Sequence, residues 1–354
     1  MRIVIVTVYN SMNSGSYLQA FSLYKALTDI YGENVFFLRT GARTPKKDTI
    51  KYCLKKSIKL DFNAAIVRKK MYDDLSKYVK KLPEIGYDEL DYSNDVFVLG
   101  SDEIWNIRRK CMSNYPVFWG TGLPAERTIA YAPSLNRSVS EDVLKFDYAK
   151  TALANIRFIS VRDNASKIEL SKICDRDIEL VCDPTNLIDN SQFIDRLEVC
   201  NDENYILIYI NPGKLSDEQK ESIKRFARDR KLKLISFSFQ NNWCDKIING
   251  SPYLFLSYIY HADYVFTATF HGTTFSLLFN KQFVSFDESN QKVIELLSVY
   301  GLSERLLRDE EIDRLSFVAD EKYDKELLNT KVRDMRSHSL RYLTESIDAI
   351  RKEK

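Results

Sequence analysis

Histidine is scarce in this chain of 354 residues: there are three, His261, His271 and His338. Glycine (11) and proline (8) are sparse as well, and 44% hydrophobic against 29% charged residues excludes a collagenous, low-complexity or disordered chain. The six cysteines (Cys53, Cys111, Cys174, Cys182, Cys200 and Cys244) form no Cys-x-x-Cys pair and have no nearby His. That spacing argues against a zinc site and a disulfide framework, and makes a reduced, cytoplasmic protein the expectation. Nowhere do about 18 apolar residues follow one another, and Ile3-Val4-Ile5-Val6 is too short for the apolar part of a signal peptide, so neither a membrane span nor secretion is expected. Charge of one sign is also missing. A net charge of +2 leaves no whole-molecule footprint for nucleic acid, and none is expected as a partner.

The one local imbalance lies between Arg43 and Lys81, with 13 Lys or Arg against four Asp, interleaved with Tyr52, Leu54, Ile58, Leu60, Phe62, Ile66, Met71, Leu75 and Tyr78. A solvated amphipathic insert is the plainer expectation. The sharper one is peripheral contact with anionic lipid headgroups at the inner face of the cell membrane.

Apolar strands alternate with helical patterns, the mark of βα units and parallel sheets, and the length suits two domains. One set of strands is expected at Ile3–Tyr9, Val35–Leu38, Val96–Gly100, Thr128–Ala132, Phe158–Val161 and Leu180–Cys182, with helices at Tyr17–Tyr31, within the basic insert and at Val143–Ala154. The second set is Tyr205–Ile210, Leu232–Ser238, Tyr264–Thr267 and Phe283–Phe286, with helices at Asp217–Arg230, Pro252–His261, Thr273–Asn280 and Lys292–Tyr300. The expected domains are residues 1–190 (with the insert at about 43–81), residues 200–320, and a C-terminal helix over 321–354.

Chemistry is expected where strands end. His271 falls between an apolar strand and a packed helix, in Thr267-Ala268-Thr269-Phe270-His271-Gly272, and imidazole is the side chain most easily set to work near neutral pH. The first strand runs into Asn13-Ser14-Gly15-Ser16-Tyr17-Leu18-Gln19, a loop of small polar residues that lacks both the Gly-x-Gly-x-x-Gly and the Gly-Lys-Ser signatures. Gly100-Ser101-Asp102-Glu103-Ile104-Trp105-Asn106 offers a carboxylate for a sugar hydroxyl and an indole face that suits a pyranose. Ser134 follows another strand, and Arg162 ends the fifth, where a planar guanidinium suits a carboxylate or phosphate.

Taken in order, these segments, together with Ala130-Tyr131-Ala132-Pro133-Ser134, Ser160-Val161-Arg162-Asp163 and Asp183-Pro184-Thr185, resemble the polysaccharide pyruvyl transferases. The resemblance extends to about Leu307. It implies an α/β fold of two Rossmann-like domains facing a cleft, GT-B-like, with a long C-terminal helix added here. It also implies phosphoenolpyruvate as donor and co-substrate, with no further cofactor and no obligatory metal, and a hexose of a bacterial surface polysaccharide or its lipid-linked precursor as acceptor. On this reading His271, Arg162 and Asp102 are catalytic. Arg162, His271, Gly272, Thr269 and Lys292 bind the donor, with Lys281 a weaker candidate; Asn13, Gly15, Ser16, Gln19, Ser101, Asp102, Trp105 and Ser134 bind the acceptor. Alanine at Arg162 or His271 is expected to abolish turnover and leave the fold intact. One departure stands out: some members carry an Arg two residues before the His, where this chain has Thr269. The alternatives are a GT-B-like glycosyltransferase using a nucleotide sugar and a non-catalytic glycan-binding member.

Overall fold

A computed structural model describes residues 1–42, 45–58 and 62–352. Arg43 and Leu60 of the basic segment, and the last two residues of the expected C-terminal helix, lie outside them. Contacts divide the chain into two units, Met1–Ile188 with Asp334–Lys354, and Asp189–Arg333. The helix Lys325–Lys352 therefore begins in the second unit and ends in the first.

The first unit contains strands β1 (Ile3–Val6), β2 (Val35–Leu38), β3 (Glu84–Ile85), β4 (Val96–Leu99), β5 (Thr128–Ala130), β6 (Phe158–Val161) and β7 (Ile178–Leu180), in the spatial order β3-β2-β1-β4-β5-β6-β7. All its pairings are parallel. Every residue of β1 and β4 is buried, as continuous apolar runs flanked by helices require. The second unit repeats the scheme with β8 (Tyr205–Tyr209), β9 (Lys233–Phe237), β10 (Lys246–Ile248), β11 (Tyr264–Thr267) and β12 (Phe283–Ser285), in the order β10-β9-β8-β11-β12. Its pairings are parallel too, and Ile206, Ile208, Phe266 and Val284 form the centre of its core.

Several elements differ from expectation. The short edge strands β3 and β10 carry only two and three residues, too few for a periodic signal. Strand β7 lies two residues earlier than Leu180–Cys182, because the charged Asp175-Arg176-Asp177 run disguises its start. The expected helix over Val143–Ala154 is two helices, Ser140–Val143 and Asp147–Asn155. Directly after Arg162, an unanticipated helix, Asn164–Ser171, starts where the Asp163 carboxylate accepts from Ser166 N at 2.8 Å. The basic insert is a pair of helices, α2 (Pro45–Ile58) and α3 (Phe62–Val79), which follow α1 (Ser14–Tyr31) and β2.

All six cysteines are free. Burial pushes the Cys182 thiol up to about 11 and the Cys244 thiol up to about 12. At pH 8 roughly one Cys182 in a thousand would then be thiolate, the reactive form. Iodoacetamide at pH 8 is accordingly expected to spare Cys182 in the native protein and to alkylate it in urea; rapid native labelling of Cys182, read by peptide mass, would contradict this burial.

Candidate functional site

In each sheet the strand order reverses once, between β1 and β4 in the first unit and between β8 and β11 in the second. Helices leave opposite faces at that point, so the carboxyl ends of the two strands border a crevice in which ligands of open α/β sheets bind. The expected site residues divide between these two places.

In the first unit, β1 ends in the loop that Asn13 closes by capping α1, its Oδ1 accepting from Gly15 N at 2.9 Å. Ser16, in the first turn, donates its hydroxyl to Asp102 Oδ2 at 2.7 Å. Asp102 follows β4 in the left-handed region, φ 72°, and is reached through Gly100 at φ 129°. A Cβ on Gly100 would stand 1.9 Å from the Tyr131 carbonyl oxygen, so only glycine lets the chain leave β4 beside β5. The other Asp102 oxygen accepts from Glu103 N at 2.8 Å and from Arg162 Nη2 at 3.5 Å, and the Asp102 carbonyl accepts from Ser134 N at 2.9 Å. Ser16, Ser101, Asp102, Ser134 and Arg162 are thus brought together.

Arg162 does not face an open anion site. Its side chain is 1% exposed, with Nη1 donating to Asp183 Oδ2 at 2.6 Å and lying 3.5 Å from Ser101 Oγ. Burial alone would lower the guanidinium pKa, but the carboxylates of Asp183 and Asp102, with Asp163 and Glu103 beyond them, reverse the direction and hold it raised. Asp183 is itself fixed, its second oxygen accepting from Thr185 N (3.0 Å) and Thr185 Oγ1 (2.8 Å). Asp183-Pro184-Thr185 therefore acts as the anchor of Arg162, a role that its position after β7 left unread.

Four further expected site residues are buried and engaged within the fold. Trp105 is fully buried, its indole stacked on Trp119 with centroids 4.4 Å apart and Nε1 donating to the Phe118 carbonyl at 2.8 Å, so the face expected to take a sugar is covered. Gln19 is likewise fully buried and ties the loop down, donating to the carbonyls of Ser16 (3.0 Å) and Val8 (3.3 Å). Ser101 and Ser134 are fully buried, with Ser101 Oγ donating to the Ala132 carbonyl and Ser134 Oγ accepting from Asn136 N. Open space lies on the other side of β1. A cavity of about 370 Å³ is lined by Tyr9, Asn10, Arg39, Lys46, Lys47 and Tyr72, among others. A neighbouring one of about 390 Å³ shares Asn10, Tyr72 and Glu84. Neither Arg39 nor Tyr72 belongs to a recognisable motif.

In the second unit, the helix Phe270–Leu278 starts three residues before the expected Thr273, because Thr269 is its N-cap: Thr269 Oγ1 accepts from Gly272 N at 3.0 Å. His271 consequently sits in the first turn, 9% exposed, beside the positive end of the helix dipole, with its ring edge-on to Phe270. The hydroxyls around it are engaged internally: Thr267 Oγ1 with the Tyr209 carbonyl (3.0 Å), Thr273 Oγ1 with Ser285 Oγ (2.9 Å), and Thr274 Oγ1 with the Phe270 carbonyl (2.9 Å). Of the four threonines only Thr269 is half-exposed, so the turn is less an array of ligand hydroxyls than a capped helix start.

Lys292 stands at the second position of the helix Gln291–Tyr300, whose N-cap, Asn290, donates to the Ala268 carbonyl at 3.3 Å. Lys281 precedes β12 at the opposite, amino-terminal edge of the sheet and donates to the Tyr260 carbonyl, which removes it from the site. A cation that sequence reasoning missed is Lys214, in the loop after β8; its Nζ lies 2.9 Å from Asp287 Oδ2, in the loop after β12. Because β11 lies between β8 and β12, with strands spaced about 4.8 Å apart, this ion pair crosses the mouth of the β11 turn that carries His271. Burial alone would raise the Asp287 carboxyl, but bonds from Lys214 and Ser289 hold it below the usual range. Asn211-Pro212-Gly213-Lys214 directly after an apolar strand was the available signal. His261 and His338 are remote from this chemistry: His261 Nδ1 lies 3.0 Å from the Ser257 carbonyl oxygen, and His338 pairs with Glu179. Among the described residues, no group of three or more His, Cys, Asp or Glu is disposed to hold a metal ion.

Two stability effects follow from these contacts. Arg162→Met would take the guanidinium away from the buried Asp183 carboxylate and is expected to cost about 3–5 kcal/mol in urea unfolding. A Cβ on Gly272 would meet Thr267 Oγ1 at 2.2 Å and Tyr209 Cδ1 at 2.9 Å, so Gly272→Ala is expected to cost about 1–3 kcal/mol; an unchanged unfolding midpoint in either variant would contradict the packing described.

A family model of polysaccharide pyruvyl transferase matches residues 13–290. No curated protein matches the chain. Among solved structures, UDP-GlcNAc 2-epimerase from Neisseria meningitidis bound to UDP-GlcNAc is similar, with a TM-score of 0.54 at 8% identity over 98% of this chain and 99% of that one. UDP-N-acetylglucosamine 2-epimerase from Rickettsia bellii gives 0.51 at 9% identity over 99% and 98%. At such identities the likeness is one of fold, the GT-B-like α/β class with two Rossmann-like sheets that the sequence implied. The family match covers most of the chain, so this protein belongs to the polysaccharide pyruvyl transferase family and is a transferase.

Proposed function

We propose that the protein transfers pyruvate from phosphoenolpyruvate to two hydroxyls of a hexose in a bacterial surface polysaccharide or its lipid-linked precursor, forming a pyruvate ketal. The observation that carries this reading is His271 in the first turn of a capped helix at a strand switch point, with Lys214 crossing that turn. His271 gives a proton to C3 of the enol, leaving C2 cationic. One acceptor hydroxyl bonds to C2, the C2–O bond to phosphate breaks, and the second hydroxyl closes the ketal. Of the two hydroxyl protons, one restores the proton that His271 gave to C3 and the other leaves with phosphate. Asp102, held by Ser16 and Arg162, is assigned to the acceptor in the first unit. Arg162 acts through Asp102 as a positioning residue, and the donor's carboxylate and phosphate fall to Lys214, Lys292 and the helix terminus, with Gly272 and Thr269 shaping the turn.

The cavities near Asn10, of about 370 and 390 Å³, suit a sugar acceptor. A lipid-linked acceptor would be met at the cytoplasmic face of the cell membrane, by a protein in which no described helix is long and apolar enough to cross it.

Calorimetric titration with phosphoenolpyruvate tests the assignment. The wild type is expected to bind saturably. Lys214→Met should weaken binding roughly tenfold to hundredfold, and Lys214→Arg should retain most of it. Lys214 is 39% exposed, so its replacement should leave the fold intact. His271→Ala should still bind the donor and lose turnover. Binding of a nucleotide sugar in place of phosphoenolpyruvate would overturn the donor, and binding without turnover on any glycan acceptor would favour a non-catalytic member.

A further inference from the structure

The basic insert is a hairpin of two helices whose inner stripe is satisfied within the first unit: Thr49, Ala65, Leu75 and Val79 are buried, and Cys53 Sγ reaches the Ala65 carbonyl at 3.3 Å. Its outer stripe is not. Ile50 is 51% exposed, Leu54 60%, Ile58 83%, Phe62 54% and Ile66 65%. On α2, residues 50, 54 and 58 recur at helical spacing, and on α3 residues 62 and 66 do so. The Cys53–Ala65 contact fixes the helices antiparallel, so the ends carrying Ile58 and Phe62 lie together at the tip. Lysines border the stripe: Lys47, Lys51, Lys55 and Lys70 are all exposed. The acidic side chains on the hairpin are few, and two of the three described are paired locally, Asp73 with Lys69 and Asp74 with Lys77, while Asp48 lies in the first turn of α2.

We infer that this hairpin is a membrane-docking wedge for an anionic lipid surface, its apolar tip entering the headgroup region and its lysines engaging the phosphates. Charge decides among the occupants. A second copy of the chain meeting the same face about a twofold axis would set lysine against lysine, and a soluble polyanion would have no use for the apolar stripe. An anionic leaflet satisfies both features at once. The base of the wedge adjoins the acceptor side: Lys46 and Lys47, at the start of α2, line the same cavity as Thr7–Asn10 of the loop after β1. Docking would therefore hold that cavity close to lipid-borne saccharides. The inference goes beyond the pyruvyl-transfer reading and does not depend on the donor.

Co-sedimentation of the full-length protein, without substrates, with vesicles of phosphatidylcholine and phosphatidylglycerol in equal parts is the test, with pure phosphatidylcholine as the control. Binding to the anionic vesicles alone is expected, falling as salt rises. Replacing Lys47, Lys51, Lys55 and Lys70 together by Gln should lower partitioning by more than about a hundredfold, at roughly fivefold per lysine. Ile58→Ser with Phe62→Ser, at exposed sites and with no change in charge, should lower it at least about tenfold. No wild-type binding, or loss in the lysine variant with none in the Ile58/Phe62 variant, would overturn the wedge. A dimer in gel filtration that the Ile58/Phe62 variant dissociates, without vesicle binding, would overturn it in favour of a second copy. Since no substrate is present, these outcomes are separable from failure of phosphoenolpyruvate to bind.

Discussion

The placement of chemistry in this protein depends on one topological constraint, the single reversal of strand order in each parallel sheet. A right-handed crossover from β1 to β2 sends its helix to one face, and the crossover that brings the chain to β4 sends it to the other, so the two strand ends at the reversal are left uncovered. Asn13 and Ser16 leave β1 at that point and Asp102 leaves β4 beside them. In the second unit the same geometry selects the ends of β8 and β11, which carry Lys214 and His271. Two residues of unlike chemistry, 57 positions apart in the chain, are brought to the same sheet edge because the strands that precede them are adjacent.

The electrostatics of the two switch points are opposite in character. In the first unit a guanidinium is enclosed by Asp183 and Asp102 and has little net charge to offer, and its effect is to fix the position of a carboxylate whose other oxygen holds Ser16. A buried pair of this kind contributes little net stability compared with an apolar substitute, but losing one partner is costly, so its retention fits a need for geometry. In the second unit the cation is half-exposed and its carboxylate partner sits on a neighbouring loop. Such a pair is worth little in itself, which leaves the lysine available to an incoming anion at small cost. An anion is better received there than by Arg162.

Much of this was legible in the sequence. Strands β1, β4, β8 and β11 are continuous apolar runs, and the loops that follow them carry their chemistry in short, ordered motifs, so the fold class and the regions of interest could be read directly. What could not be read was side-chain direction. Trp105 lies only three residues beyond Asp102, yet the turn there sends it inward against Trp119, a partner 14 positions away that no local pattern announces. Gln19, on α1, and Ser134, after β5, lie close in the chain to the candidate groups and serve to pin the backbone. Lys214 was missed for the converse reason: the turn Asn211-Pro212-Gly213-Lys214 is visible in the sequence, but which strand ends it lies beside depends on the order of strands, which sequence periodicity does not contain.

The departure at Thr269 can be understood on the same terms. Arg at this position, as in some members, offers a cation, but an Arg side chain cannot accept the Gly272 N–H that Thr269 Oγ1 accepts here. Thr269 also meets Thr267 Oγ1 at 3.1 Å, and Gly272 leaves no room for a Cβ between those hydroxyls and Tyr209. The cap, the missing Cβ and the close packing of helix against strand are therefore one arrangement that fixes where His271 begins its helix. With the cap supplied from within the turn, positive charge has to come from another loop at the same sheet edge, and Lys214, spanning to Asp287 across that turn, is placed to provide it.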